Sequence, residues 1–161
     1  MSKFDVVMDE DVLPAEGGYV NDLRDPGGET KFGISKRTYP NLNISGLTLD
    51  DAKRIYKRDF WDVLQLDGAP LSIARHLMDA AVNSGVQGAI RMLQRAVGVA
   101  DDGHVGPVTQ AAIAKMQTHD IVMRFDAERM EYMTRCSGWP TYGKGWVLRI
   151  CRLLRKGAQD V

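Results

Sequence analysis

Apolar residues recur at helical spacing along most of this 161-residue chain. Phe4, Val7, Met8 and Val12 fall near one helical face, with acids on the other, which predicts a short amphipathic helix at the start. Thr48-Leu49-Asp50-Asp51 reads as an N-cap followed by acids in the first turn, opening a helix that runs to about Trp61. Pro70 is placed in the first turn of a helix over 71–83, whose buried stripe is Ile73, Leu77, Ala80 and Ala81 and which Gly85 closes. A further helix over 86–97 carries Ile90, Leu93 and Val97 and ends at Gly98. The punctuated stretch Asp101-Asp102-Gly103-His104-Val105-Gly106-Pro107 leads into a helix with Thr109 near its start. A long helix is expected over 119–135 and a cationic one over 145–156.

Residues 16–35 break this periodicity and hold five of the sixteen glycines. Asp25-Pro26-Gly27-Gly28 is a strong turn signal between two segments just long enough for short strands. The prediction is a helix end followed by a small β-hairpin. The fold class is therefore α+β and mainly α-helical, one domain over 1–161 with a hairpin near the N-terminus. Its length suits one core, and splitting it leaves two marginal ones.

Composition narrows the classes. With 44% hydrophobic and 26% charged residues, the chain is neither disordered nor fibrous nor a disulfide scaffold. No apolar run approaches the roughly 18 residues of a membrane span, and the acidic opening lacks a signal-peptide core. Synthesis as a soluble cytoplasmic protein is expected, with any export by another route. The net charge of zero is unevenly spread. Residues 1–30 carry a net −6 and residues 132–161 a net +5. The basic end suits either a solvated helix face or approach to an anionic surface. Cys136 and Cys151 have no partner histidines at metal spacing and are read as buried, reduced thiols.

Motif chemistry is sparse. Phosphate-loop, Rossmann and H-E-x-x-H patterns are absent, and no metal or cofactor is expected. His76, His104 and His119 are scattered and read as structural or exposed. Glu16 stands out, at the end of an acidic helix and directly before two glycines. A carboxyl group at the mouth of a groove, backed by apolar groups, has its pKa raised and can donate a proton near neutral pH. Cleavage of a glycosidic bond needs such an acid at the leaving oxygen. Asp25 and Thr30, nine and fourteen residues on, lie across the hairpin, where a carboxylate and a hydroxyl can hold a water. A glutamate beside glycines is more often the signature of a plain helix end. For a sugar-stacking aromatic, Tyr19 is the candidate, whereas Phe60, Trp61 and Trp139 are read as core.

The run Glu16-Gly17-Gly18-Tyr19-Val20-Asn21-Asp22, with Asp25-Pro26-Gly27-Gly28-Glu29-Thr30 and Gly33-Ile34-Ser35, resembles the signature of glycoside hydrolase family 108. That family comprises phage and prophage endolysins and related bacterial muramidases of lysozyme-like fold. The resemblance implies that Glu16 is the catalytic acid. The spacing is also similar to the Glu-Asp-Thr constellation of phage lysozymes, which falls on Glu16, Asp25 and Thr30. Asp22, three residues from Asp25, competes for the second carboxylate's role and is otherwise a substrate-binding candidate with Tyr19. Two departures stand out: Leu23 replaces a frequent proline, and Lys31-Phe32 replaces a common Asn-Tyr.

Leu93-Gln94-Arg95-Ala96-Val97-Gly98-Val99 and Asp102-Gly103-His104-Val105-Gly106-Pro107-Val108-Thr109 resemble the helical peptidoglycan-binding segment that accompanies this catalytic region. The implied layout is a catalytic part over about 1–90 and a binding-like part over about 91–161 that completes the cleft. The resemblance implies an endolysin, a lysozyme-type N-acetylmuramidase acting on bacterial peptidoglycan, as a monomer without nucleic acid. It accumulates in the host cytoplasm and reaches the wall after holin-dependent release. The basic segment over 146–156 adds the expectation of contact with anionic outer-membrane lipid. A lytic transglycosylase, needing one glutamate and giving 1,6-anhydro ends, and a non-catalytic wall-binding or secretion-assisting module are the rival readings.

Overall fold

The computed structural model describes residues 1–22 and 28–160. The chain opens with α1 (Lys3–Val7), a π-helical turn (Met8–Val12) and α2 (Leu13–Glu16) in series. Ser2 starts it by a reciprocal cap: its hydroxyl accepts from the Asp5 N–H at 3.1 Å, and its own N–H donates to the Asp5 carboxylate at 3.2 Å. Phe4, Val7, Met8 and Val12 are all buried, as the pattern requires. The wider turn also brings Asp11 inward. Gly17, at φ +68°, ends the helix in a conformation that costs glycine least.

The expected hairpin is a three-stranded antiparallel sheet of β1 (Val20–Asn21), β2 (Glu29–Lys31) and β3 (Ile34–Ser35), in that spatial order. Val20 pairs with Thr30, and Lys31 with Ile34. The extra strand arises because Phe32 and Gly33 both adopt positive φ, the twist a two-residue connection needs. The Asp25-Pro26-Gly27 turn signal lies outside the described residues.

The helices follow the sequence pattern closely. Thr48 caps α3 (Leu49–Tyr56) in a second reciprocal box with Asp51, and a π-helical turn (Lys57–Trp61) extends it. After α4 (Leu71–Ser84) come α5 (Val86–Ala96), α6 (Pro107–Ala114), α7 (Thr118–Arg135) and α8 (Trp139–Gly157). Pro70 stands one position earlier than expected, at the N-cap of α4. The cationic helix begins at Trp139, six residues before the predicted start. Pro140 occupies its first turn, and Gly143 lies beneath the Trp139 ring.

Helix α4 is the axis of the fold, packed by α1, α5, α7 and α8. Ten consecutive residues, Ser72 to Ala81, are buried. Four of them are polar, and a buried polar group must find partners. Arg75 bonds Asp11, Glu10 and Asp160; His76 faces Asp126 at 2.9 Å; Asp79 binds two arginines. Each buried polar side chain with a named partner thus ties α4 to another part of the chain.

Other expectations divide. Trp61 is fully buried, but Phe60 and Trp139 are only half-buried. His104 and His119 are exposed. Cys136 and Cys151 are free thiols but half-buried rather than enclosed. Among the described residues, no helix is long and apolar enough to cross a membrane.

Candidate active site

Glu16 is the last residue of α2, at the point where Gly17 turns the chain towards the sheet. Its half-buried carboxyl group meets three elements. From the β2–β3 connection comes Gly33, at φ +78°, so close that a Cβ there would fall 2.6 Å from Glu16 Oε2 and overlap the Tyr56 hydroxyl. Only glycine lets this turn lie against both side chains. From α3 comes Tyr56, nearly buried, whose O–H donates to the Phe32 carbonyl at 2.9 Å. That bond braces Phe32 in the left-handed region, where a bulky residue is strained. From α8 comes Arg149, whose Nη2 approaches Glu16 Oε1 to 3.6 Å.

Arg149 is itself held. Its Nε donates to Asp79 Oδ1 at 2.6 Å, while Arg129 Nη2 on α7 donates to Asp79 Oδ2 at 2.5 Å. Asp79 and Arg129 are essentially solvent-free. A carboxylate shared by two guanidinium groups thus fixes the cation that faces Glu16.

These surroundings act on Glu16 in opposite directions. Burial raises its pKa above the ordinary carboxylate value, Arg149 pulls it back down, and the Asp79 charge adds a smaller upward push. Burial wins, so the carboxyl group keeps its proton to higher pH than an exposed glutamate. Burial also raises the Tyr56 phenol, with the Glu16 charge contributing, so Tyr56 stays a neutral donor. The arrangement is that of a carboxylic acid biased towards its protonated form at the edge of a small sheet.

The other candidates are placed less centrally. Thr30 sits mid-β2, half-buried, two residues before the Phe32–Gly33 turn, and its hydroxyl donates to the Gly28 carbonyl at 3.3 Å. Tyr19 is 47% exposed and donates its O–H to Glu29 at 3.0 Å, a bond that raises the phenol's pKa. Asp22 is half-buried at the end of β1. Asp25 lies outside the described residues.

Sequence reasoning missed Arg149, Asp79, Tyr56 and Glu29. Two carried a readable signal: Asp79 interrupts the apolar stripe of α4, and Glu29 falls within the glycine-rich run. Arg149 looked like one more base on a cationic helix. A cavity of about 180 Å³, lined by Pro14, Ala15, Asp79 and Arg149 among others, lies between α2 and α8. Larger cavities open elsewhere, of about 650 Å³ beside α6, about 690 Å³ between α7 and the end of α8, and about 570 Å³ beside α3. Among the described residues, no group of three His, Cys, Asp or Glu side chains is placed to hold a metal ion.

Comparison with known proteins sets this helical fold, with its half-buried carboxylic acid beside a short sheet, among the glycoside hydrolases. The family model described as glycosyl hydrolase 108 matches residues 10–85, which include Glu16, the sheet, Tyr56 and Asp79. The solved structure titled "Structure of Brucella abortus SagA" is 32% identical, superposes with a TM-score of 0.88, and covers 98% of this chain and 94% of its own. No curated protein matches the chain. The chain belongs to glycosyl hydrolase family 108, and the fold is α+β, mainly helical and lysozyme-like. Peptidoglycan is the substrate this membership implies.

Proposed function

We propose that the protein is an N-acetylmuramidase that hydrolyses the β-1,4 bond between N-acetylmuramic acid and N-acetylglucosamine. The observation that carries this reading is the half-buried Glu16 carboxyl group, raised in pKa by burial and braced by Gly33, Tyr56 and Arg149. In the reaction Glu16 donates its proton to the glycosidic oxygen, the leaving group departs, and positive charge develops at the sugar carbon. Water completes the cleavage. Thr30 on β2, together with Asp25 or Asp22, is the proposed means of positioning that water or stabilising the charge. Once Glu16 has lost its proton, the carboxylate faces Arg149 at 3.6 Å, which stabilises the anion until it is reprotonated.

The resemblance to endolysins supports a role in host lysis, with synthesis in the host cytoplasm and holin-dependent access to the wall. Exposed Lys144, Arg152 and Arg155 flank exposed Leu148 on α8, which supports contact with anionic outer-membrane lipid.

The experiment is mass spectrometry of fragments released from purified Gram-negative peptidoglycan by wild type and by Glu16→Gln. Wild type is expected to release reducing N-acetylmuramic acid ends, and the variant at least about 100-fold less, since general acid catalysis contributes about that much or more. Anhydro ends from wild type indicate a transglycosylase instead. Equal release by both proteins overturns Glu16 as the acid.

A further inference from the structure

Helix α8 approaches Glu16 through Arg149, and the same helical strip continues away from the site as aromatic side chains. Trp146 lies three residues before Arg149 and Tyr142 seven before it, spacings that share one face of a helix. Two turns separate Tyr142 from Arg149, a length of about 10 Å. The Tyr142 and Trp146 ring centroids are 6.1 Å apart with planes inclined by 33°, and Trp139 extends the row at 6.4 Å from Trp146. Two glycines make room for this row. A Cβ at Gly138 would press on the Tyr142 and Trp146 rings at 3.1 Å, and one at Gly143 would lie 2.7 Å from the Trp139 ring. Glycine is a poor helix former, and at Gly143 the bare backbone admits a flat-lying indole.

The row is not core. Tyr142 is 61% exposed and both indoles are half-buried. An exposed aromatic surface running from a sugar-cleaving acid suits the apolar faces of pyranose rings, which stack on aromatic planes. From this we infer that Tyr142 and Trp146, with Trp139 behind them, form a stacking wall for one arm of the glycan strand whose scissile bond sits at Glu16. The inference rests on the glycan-hydrolase reading and adds a binding subsite to it, supplied by the C-terminal half. Arg149 joins the two, with its guanidinium at the acid and the aromatic strip beginning one turn away.

The test is a binding titration with peptidoglycan glycan strands, carried out in a Glu16→Gln background so that the strands stay intact. Tryptophan fluorescence reports the contact directly, because Trp61 is fully buried and Trp139 and Trp146 are the remaining indoles. Strands are expected to shift the emission saturably. Adding Tyr142→Ala should weaken binding by about tenfold, while Tyr142→Phe retains it. In the active enzyme, Tyr142→Ala should raise KM for polymeric peptidoglycan with kcat held. Tyr142 is exposed, so its replacement spares the fold even where a Trp146 variant does not. Binding unchanged by Tyr142→Ala, or emission unmoved by strands, overturns the wall. Loss of the hydrolase reading shows separately, as the absence of reducing N-acetylmuramic acid ends among the products of wild type, and leaves the binding titration to stand or fall by itself.

Discussion

Glu16 is held between burial, which favours its protonated form, and the Arg149 guanidinium, which favours its anion. The balance lies on the protonated side, and the size of the guanidinium's pull is open to measurement. Replacing Arg149 with Met removes the downward influence, so the Glu16 pKa should rise further and the alkaline limb of the kcat–pH profile should move to higher pH. Arg149→Lys keeps a cation there and should leave the limb near its original place. A limb that moves down in Arg149→Met, or does not move, overturns the downward pull assigned to Arg149. At this scale the sequence was legible where the chain itself is special. The two glycines after Glu16 advertise a helix end with an exposed turn, and they made Glu16 readable. The neighbours that tune it come from residues 17, 40, 63 and 133 positions away in the chain (Gly33, Tyr56, Asp79 and Arg149), and local pattern says nothing about which distant side chain will be adjacent.

Among the elements, α4 decides the architecture because it is buried on all sides and still carries charge. Asp79 balances Arg129 from α7 and Arg149 from α8. Removing one partner of such a buried set leaves an uncompensated charge, at a cost of about 3–5 kcal/mol. Asp79→Ala should therefore lower the free energy of unfolding by that amount, as read from urea denaturation, and should also free Arg149 and reduce turnover. A loss below about 1 kcal/mol would mean that water or relaxation satisfies the two arginines. Helix periodicity placed α3, α4, α5 and α7 to within a residue or two in most cases, since an apolar stripe and a cap are local facts. It placed the start of α8 late, at residue 145, where the helix begins at Trp139 and runs through both Gly143 and Gly145. At Gly143 the packing of Trp139 against the bare backbone supplies the compensation.

Across the whole molecule, the two charged ends are joined. Lys156 near the C-terminus bonds the Asp11 carboxylate and the Glu10 carbonyl, each at 2.6 Å, and Arg75 gathers Glu10, Asp11 and Asp160 around one guanidinium. Part of the apparent polarity is thus internal pairing, while Lys144, Arg152 and Arg155 remain exposed. Because these pairs and the Asp79 set tie both ends to α4, unfolding should be a single cooperative transition. Far-ultraviolet circular dichroism and tryptophan fluorescence should then give coincident midpoints, the latter reporting on Trp61 in the core and on Trp139 and Trp146 in α8. Separated midpoints, with the fluorescence of α8 moving first, would show that the C-terminal helix melts independently.

By itself the sequence determined the helical register, the caps at Thr48 and around the glycine turns, the mixed helical and strand character, and Glu16 as the acid to examine. Each of these is written in spacings of a few residues, where hydrophobic periodicity and backbone preference act directly. Only the tertiary structure decided that a third strand forms, that Gly33 and Tyr56 close on Glu16, and that Arg149 turns inward from a helix that reads as cationic surface. Those outcomes depend on which surfaces meet when α4 is buried. A buried charge is tolerated there only because its partners arrive from remote parts of the chain, and that condition is met in space and not along the sequence.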